Sequence, residues 1–437
     1  MNIPQRTSEG LPTDFVAAHS AELCRAIVEN EAITSIRLNP QKPYNHNLRD
    51  KVEWADDGYY LAKRPVFTLD PVFAAGGYYV QEASSMAVGW IAERLDLPEK
   101  PKVLDLCAAP GGKSTHLSSI IGHSGVLVAN ETIRSRAGIL CQNIEKWGVG
   151  NTIVTSADAA AMGNLGATFD LIVVDAPCSG EGMFRKDITA REEWSLDNVA
   201  KCAARQRRIL GDVWDALVQD GYMIYSTCTF NADENEKNVA WIARELGAEI
   251  MDMGEIPGGA TQNAVAGYNF YPNLVRGEGF YVAVLRKTSS APYRAIKMPR
   301  LAPRTSDKYS RDPLYVVDRG DSLYGYTSDV YTMVETLRSA RIFMLTAGVD
   351  FGTKIREQLK PAHSLALYAG LRDDIFPRSE VTLTVALNYL RKEAIDASAF
   401  VDGLNLVTYN SLPLGFVKRI GARVNNMYPI GWRIATL

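Results

Sequence analysis

Residues 102–117 read KVLDLCAAPGGKSTHL. A short apolar run ends on Leu106, the chain breaks through Cys107, Ala108, Ala109 and Pro110, and helical spacing resumes after Gly111, Gly112 and Lys113. This is the grammar of a buried strand, a tight turn and a helix. The two glycines let the backbone approach a ligand closely, and the start of the helix offers free N–H groups. The spacing is neither G-x-G-x-x-G nor G-x-x-x-x-G-K-[ST], because Cys107 stands where the second pattern needs its first glycine. A nucleotide-type ligand other than a dinucleotide fits better.

Working outward, similar apolar runs occur at 126–129, 153–155, 171–174 and 223–225. They alternate with helical segments at 114–121, 135–147 and 199–218. Alternation of this kind predicts an α/β doubly wound parallel sheet, whose ligands sit beyond the carboxyl ends of the strands. The second strand runs out at Glu131, suited to ribose hydroxyls, and the third at Asp158, placed for a base edge or a helix N-terminus. Each alone is more often a cap or a solvated acid; their succession at strand ends favours ligand binding. The fourth strand delivers DAPCSGEG (175–182) and the fifth YSTCT (225–229). Pro177 stiffens its turn, while Gly180 and Gly182 leave room for something flat. Cys178 and Cys228 therefore emerge at one edge together with Cys107, so position alone names no nucleophile. Cys24, Cys141 and Cys202 fall in helical patterns and read as core.

The whole chain has 437 residues, enough for about three domains. Its 46% hydrophobic and 22% charged content excludes a disordered tail, a fibre and a disulfide miniprotein. No apolar run has the length of a membrane span, and the first residues lack the basic and apolar regions of a signal peptide, so a cytoplasmic location is expected. The six cysteines form no C-x-x-C pair and the five histidines do not gather near them, so no metal site is expected. The net charge of −3 divides into −9 over residues 1–287 and +6 over 288–437. Such a split suits a basic surface beside an active site for a polyanion, or is a chance difference between domains. A boundary falls near residue 70, after a helix expected around 14–28 and an extended stretch at 35–38. The stretch 288–313 holds four prolines and six basic residues and reads as a linker or arm.

LDLCAAPGGKSTHL, VANE, FDLIVVDAPCSGEGMFRK and YSTCTFNADENE together resemble the RNA 5-methylcytosine methyltransferases of the Nop/Sun family. SIRLNP (35–40), YYVQEASSMA and GFYVAVLRK (279–287) extend the likeness over roughly residues 12–287. The tail LPLGFVKRIGARVNNMYPIGWRI (412–434) is similar to the PUA-like module of the bacterial RsmF-type branch. The resemblance implies a Rossmann-like class I methyltransferase domain at 71–288, preceded by a small N-terminal α+β RNA-binding region at 1–70. A basic linker at 289–313, a C-terminal α+β extension at 314–374 and a PUA-like RNA-binding module at 375–437 would follow.

It also implies S-adenosylmethionine as cofactor, on Cys107, Ala108, Ala109, Pro110, Gly111, Gly112 and Lys113. Glu131 would meet the ribose, Asp158 the adenine, and Asp175 the methyl donor and the base. Arg136 is a further cofactor candidate, against the alternative of a surface ion pair. Lys113 is left between contacting the cofactor and orienting the base. By the family pattern Cys228 is the nucleophile and Cys178 assists elimination; DNA cytosine methyltransferases use the Pro-Cys thiol instead, and Thr227-Cys228 decides for the RNA type. The expected substrate is a cytosine of small-subunit (16S) ribosomal RNA, free or in the 30S subunit, acted on by a monomer, with neither DNA nor membrane as partner. The same chemistry on tRNA, or a non-catalytic ribosome-assembly factor, are the competing readings; the second predicts a damaged loop or a missing cysteine, and neither is seen. Arg294, Lys297, Arg300, Arg304, Lys308 and Arg311 would line a phosphate track or belong to a solvated linker. Lys418, Arg419 and Arg423 of the tail are stronger candidates for RNA contact.

Overall fold

The structure is a computed structural model that describes residues 10–290, 292, 304–356 and 358–435. Its centre is a ten-stranded sheet. Strands β1 (Lys102–Asp105), β2 (Val126–Asn130), β3 (Thr152–Thr155), β4 (Phe169–Asp175) and β5 (Leu217–Thr227) run parallel. β6 (Ala248–Met251), β7 (Thr261–Gln262), β8 (Tyr268–Phe270) and β9 (Phe280–Lys287) continue it antiparallel beyond β5. The order is β7-β8-β9-β5-β4-β1-β2-β3, closed at the far edge by β10 (Met344–Ala347). Helices α1 (Gly112–Ile121), α2 (Arg134–Trp147), α3 (Ala159–Gly163) and α4 (Leu196–Val213) connect the parallel strands.

The strands read as unbroken apolar runs because both faces are covered. Leu104, Val128, Ile172 and Val174 face one core; their neighbours Val103, Leu127, Leu171 and Val173 face another. N-terminal residues, among them Val52, Trp54, Met86 and Ile91, fill the second core. The first core is completed by helix α5 (Ser328–Ser339), which contributes Val330, Met333, Val334 and Leu337. The stretch expected as a separate extension over 314–374 therefore shares the central core and, through β10, the central sheet.

Four strands, Lys51–Val52, Ala55–Leu61, Thr34–Leu38 and Tyr78–Val80, make the N-terminal sheet, so it runs past the boundary expected near 70. The helix expected around 14–28 is two helices, Thr13–Ala18 and Ala21–Glu29. Ser20 restarts the second by accepting the Leu23 N–H, which a continuous helix would not allow. Similarly, α4 stops at Val213 rather than 218, because Leu217 already begins β5. The last module pairs Arg378–Glu380, Gly403–Tyr409, Leu412–Ile420 and Arg423–Asn426, and packs Tyr389, Leu390, Leu412 and Leu414 against Tyr59, Phe67, Val72 and Tyr78. The N-terminal sheet and the last module thus share one core. At that junction the buried Lys42 ammonium donates to the carbonyls of Ala75 and Lys146, and burial pushes its pKa down to about 7.

Candidate active site

Four strand ends converge on one edge. Gly111 caps α1 with φ +116, a conformation open to glycine, and a Cβ there would meet Leu140 at 3.1 Å. Beneath this turn lies a cavity of about 160 Å³ lined by Cys107, Ala108, Ala109, Pro110, Gly112, Lys113 and Asp175. Asp105 also lines it, as do Tyr79, Gln81 and Glu82 of the N-terminal part. Arg37, buried and stacked 4.4 Å over Trp147, anchors that part: it donates to Gln81 Oε1, Thr115 Oγ1 and the Gly112 carbonyl.

The electrostatics of the cavity are anionic. Asp105 accepts from Ser114 Oγ at 2.6 Å through one oxygen, while the other is buried without a partner. Burial, only partly offset by Ser114 and Lys113, pushes its pKa up to about 7. Lys113 Nζ lies 2.8 Å from Asp175 Oδ2 and 5.1 Å above the Phe280 ring. Burial works against this ammonium, but Asp175 outweighs it and the pKa rises. Ser226 Oγ donates to the other Asp175 oxygen at 2.8 Å. A buried unpaired carboxylate oxygen costs free energy that a cationic ligand group recovers. The cavity therefore fits a ligand carrying positive charge, held close against the glycine turn.

Glu131 sits at the end of β2, its carboxylate accepting from the Ile133 N–H and lying 3.4 Å from Arg136. Arg136 reaches back to the Ala109 carbonyl at 2.8 Å, so it ties the second strand end to the glycine turn. Asp158 is the N-cap of α3, accepting the Ala161 N–H at 2.7 Å; it occupies the capping role that the sequence also allowed. Beside it, Ser156 N donates to the Phe343 carbonyl, and the half-exposed Phe343 ring lies 5.0 Å from the Arg134 guanidinium. Nothing in the local sequence announces Phe343, which arrives from the C-terminal part through β10.

Cys178 and Cys228 stand 3.0 Å apart, sulfur to sulfur, as free thiols beyond β4 and β5. The bond to Cys228, reinforced by burial, holds the Cys178 proton on. Cys107, half-buried, lines the cavity, and burial pushes its thiol up. The loops carrying the two close thiols are tied together by buried carboxylates. Glu234 accepts from Ser179 N, Gln206 Nε2 and Asn231 Nδ2. Glu181 accepts from Phe230 N, Trp194 Nε1 and Asn231 Nδ2. Gly182 donates to the Cys228 carbonyl at 2.8 Å, in a place where a Cβ would meet that oxygen at 3.0 Å. Sequence reasoning assigned these supports no role, although Glu234 lies within the YSTCTFNADENE stretch.

A parallel sheet with a glycine turn after its first strand, anionic strand ends and a thiol pair at the same edge defines a Rossmann-like methyltransferase. Solved structures agree in fold. A methyltransferase homolog protein from Pyrococcus horikoshii is 27% identical, with a TM-score of 0.52 over 61% of this chain and 90% of its own. The NSun6 structure from the same organism, solved with SFG, is 21% identical, with a TM-score of 0.53 over 62% and 94%. Residues 92–286 match the family model for 16S rRNA methyltransferase RsmB/F. Residues 11–83 match the N-terminal domain of 16S rRNA methyltransferase RsmF, and 376–434 the methyltransferase RsmF PUA domain. Ribosomal RNA small subunit methyltransferase F of Enterobacter sp. (strain 638) is 32% identical over 95% of this chain and 91% of its own, and that of Klebsiella pneumoniae (strain 342) 30% over the same shares. The chain belongs to the RsmF family of methyltransferases.

Proposed function

We propose that this protein methylates carbon 5 of a cytosine in small-subunit ribosomal RNA, in the cytoplasm, with S-adenosylmethionine as donor. The observation that carries the reading is the Cys178–Cys228 pair, 3.0 Å apart, beside the anionic cavity of the glycine turn. The residues of that cavity fit the cofactor: the unpartnered Asp105 oxygen and Asp175 suit its cationic groups, and Glu131 at the next strand end suits its ribose. Bound there, S-adenosylmethionine supplies an electrophilic methyl group.

Carbon 5 of cytosine is too weak a nucleophile to take that methyl unaided. Addition of the Cys228 thiolate to carbon 6 makes the ring an enamine, nucleophilic at carbon 5. Asp175, fixed by Lys113 and Ser226, would hydrogen-bond the polar edge of the base. After transfer, loss of the carbon-5 proton to a base breaks the bond from sulfur to carbon 6 and returns the Cys228 thiolate. The Cys178 thiol is the group nearest to Cys228 for assisting that release. The Thr227-Cys228 pattern after the fifth parallel strand favours Cys228 over Cys178 as the nucleophile. The target must leave its stack to reach these thiols, and the PUA family match at 376–434 supports RNA as the partner.

Incubation with S-adenosylmethionine and undermethylated ribosomal RNA tests the assignment on a denaturing gel. Cys178→Ala is expected to trap a slow-migrating protein–RNA adduct. Cys228→Ala is expected to show neither adduct nor methylation, and Cys107→Ala to retain turnover. An adduct in the Cys228 variant and none in the Cys178 variant would reverse the two roles.

A further inference from the structure

Each of the two close thiols is bracketed along the chain by hydrogen bonds, and the two brackets come from different side chains. Cys178 stands between Pro177 and Ser179. Gln206 of α4 donates from Nε2 to the Pro177 carbonyl at 3.0 Å, and Glu234 Oε2 accepts the Ser179 N–H at 3.0 Å. The same Nε2 also donates to the same Oε2 at 2.7 Å, so one linked pair closes on both sides of this thiol. Cys228 stands between Thr227 and Thr229. Asn235 accepts from Thr227 Oγ1 at 2.6 Å through Oδ1 and donates from Nδ2 to the Thr229 carbonyl at 2.9 Å. Gln206, Glu234 and Asn235 are all fully buried, and none of them lines the cavity of the glycine turn.

The reaction needs the two thiols at different moments. Cys228 must reach carbon 6 before the methyl group moves. Cys178 acts afterwards, when the carbon-5 proton leaves to a base, its electron pair closes the double bond to carbon 6, and the Cys228 thiolate departs. Groups of this kind work when supporting hydrogen bonds hold them within about 0.5 Å of the productive geometry. A bracket that closes on one thiol therefore governs one step. We propose that Gln206 and Glu234 are the positioning residues of the release thiol and Asn235 that of the nucleophile, so that the chain neighbours Glu234 and Asn235 serve different halves of the reaction. One tie crosses between the brackets: the other Glu234 oxygen accepts from Asn231, which also reaches Thr229 Oγ1. Substitution at Gln206 therefore isolates the first bracket better than substitution at Glu234. The proposal rests on the roles proposed for the two cysteines and adds what holds each in place.

The test incubates full-length variants with undermethylated ribosomal RNA and methyl-labelled S-adenosylmethionine, and follows the label in free RNA and in the slow-migrating adduct. Gln206→Glu keeps an oxygen for Tyr225 and Asn238 but sets an acceptor against the Pro177 carbonyl and Glu234. It is expected to form the adduct within about twofold of the wild-type rate and to release it at least about tenfold more slowly, so that a labelled band accumulates. Gln206→Met removes the donor without adding charge; it should behave alike, and it decides the matter if the Glu variant does not fold. Asn235→Asp turns an acceptor toward the Thr229 carbonyl. It should form the adduct at least about tenfold more slowly and accumulate none; Thr227→Val, which removes the other half of that bracket, replaces it if it does not fold. Side chains that only stabilise the fold would lower the melting temperature and slow both steps together in every variant, and that result overturns the proposal. So does a folded Gln206 variant without accumulated adduct where Cys178→Ala accumulates it. If Cys178→Ala itself accumulates none on RNA that the wild type methylates, the role proposed for that thiol falls, and the Gln206–Glu234 assignment with it.

Discussion

Asp105 is the residue whose behaviour is most sharply constrained. Its folded pKa of about 7 means that the apo protein holds a proton there which the unfolded chain releases near pH 4. The group therefore costs stability progressively between pH 4 and 7, and a constant amount above that. A cationic ligand beside the unpartnered oxygen favours the carboxylate, so binding displaces the proton. S-adenosylmethionine affinity is expected to rise from pH 6 to 7.5, by up to about tenfold per unit below the pKa, with proton release detectable by calorimetry in buffers of different ionisation enthalpy. Asp105→Asn should bind weakly and show no such rise; a parallel pH profile in the variant would remove Asp105 from the cofactor site.

At the scale of elements, the least expected feature is the joining of α5 and β10 to the methyltransferase core. Leu337 is fully buried there. Leu337→Ala should cost about 2–5 kcal/mol and lower the melting temperature by several degrees, although the residue lies far along the chain from every site residue. Truncation after residue 287 should likewise lose cofactor binding with the fold; a truncated chain that melts and binds like the whole would show the core to be complete without α5. The parallel strands were legible because burial on both faces makes them uniformly apolar, as in 171–174. β10 was not: Met344–Ala347 is four residues long and half-buried, and its partner β3 is nearly two hundred residues away. Among site residues, the glycine turn and both thiols could be read from strand ends alone. Arg37, Glu234 and Phe343 could not, because their roles depend on partners brought together only by the fold.

Over the whole molecule, the uneven charge of the sequence acquires an address. The +6 of residues 288–437 is carried partly by a module whose core is shared with the N-terminal sheet. Within it Lys418 and Arg423 are exposed, whereas Arg419 is engaged by the Phe400 and Gly421 carbonyls. Of the expected linker track, Arg294, Lys297 and Arg300 lie outside the described residues, Arg304 and Lys308 are exposed, and Arg311 lies near Asp373. If Lys418 and Arg423 each meet a phosphate, the double alanine variant should flatten the slope of log K against log salt by about 1.5 units, with cofactor affinity unchanged. An unchanged slope, measured by filter binding across a salt series, would move RNA contact elsewhere.

The edge pairing of β3 with β10 also bears on how the protein is made. A nascent chain emerges with β3 about 190 residues ahead of the strand that covers it. At roughly 5–20 residues per second, that leaves the edge bare for about 10–40 s. An uncovered strand is a template for pairing with any other chain, and here the delay belongs to the connectivity itself. Overproduction, which crowds such half-made chains together, should tax this protein at synthesis more than its finished stability would suggest.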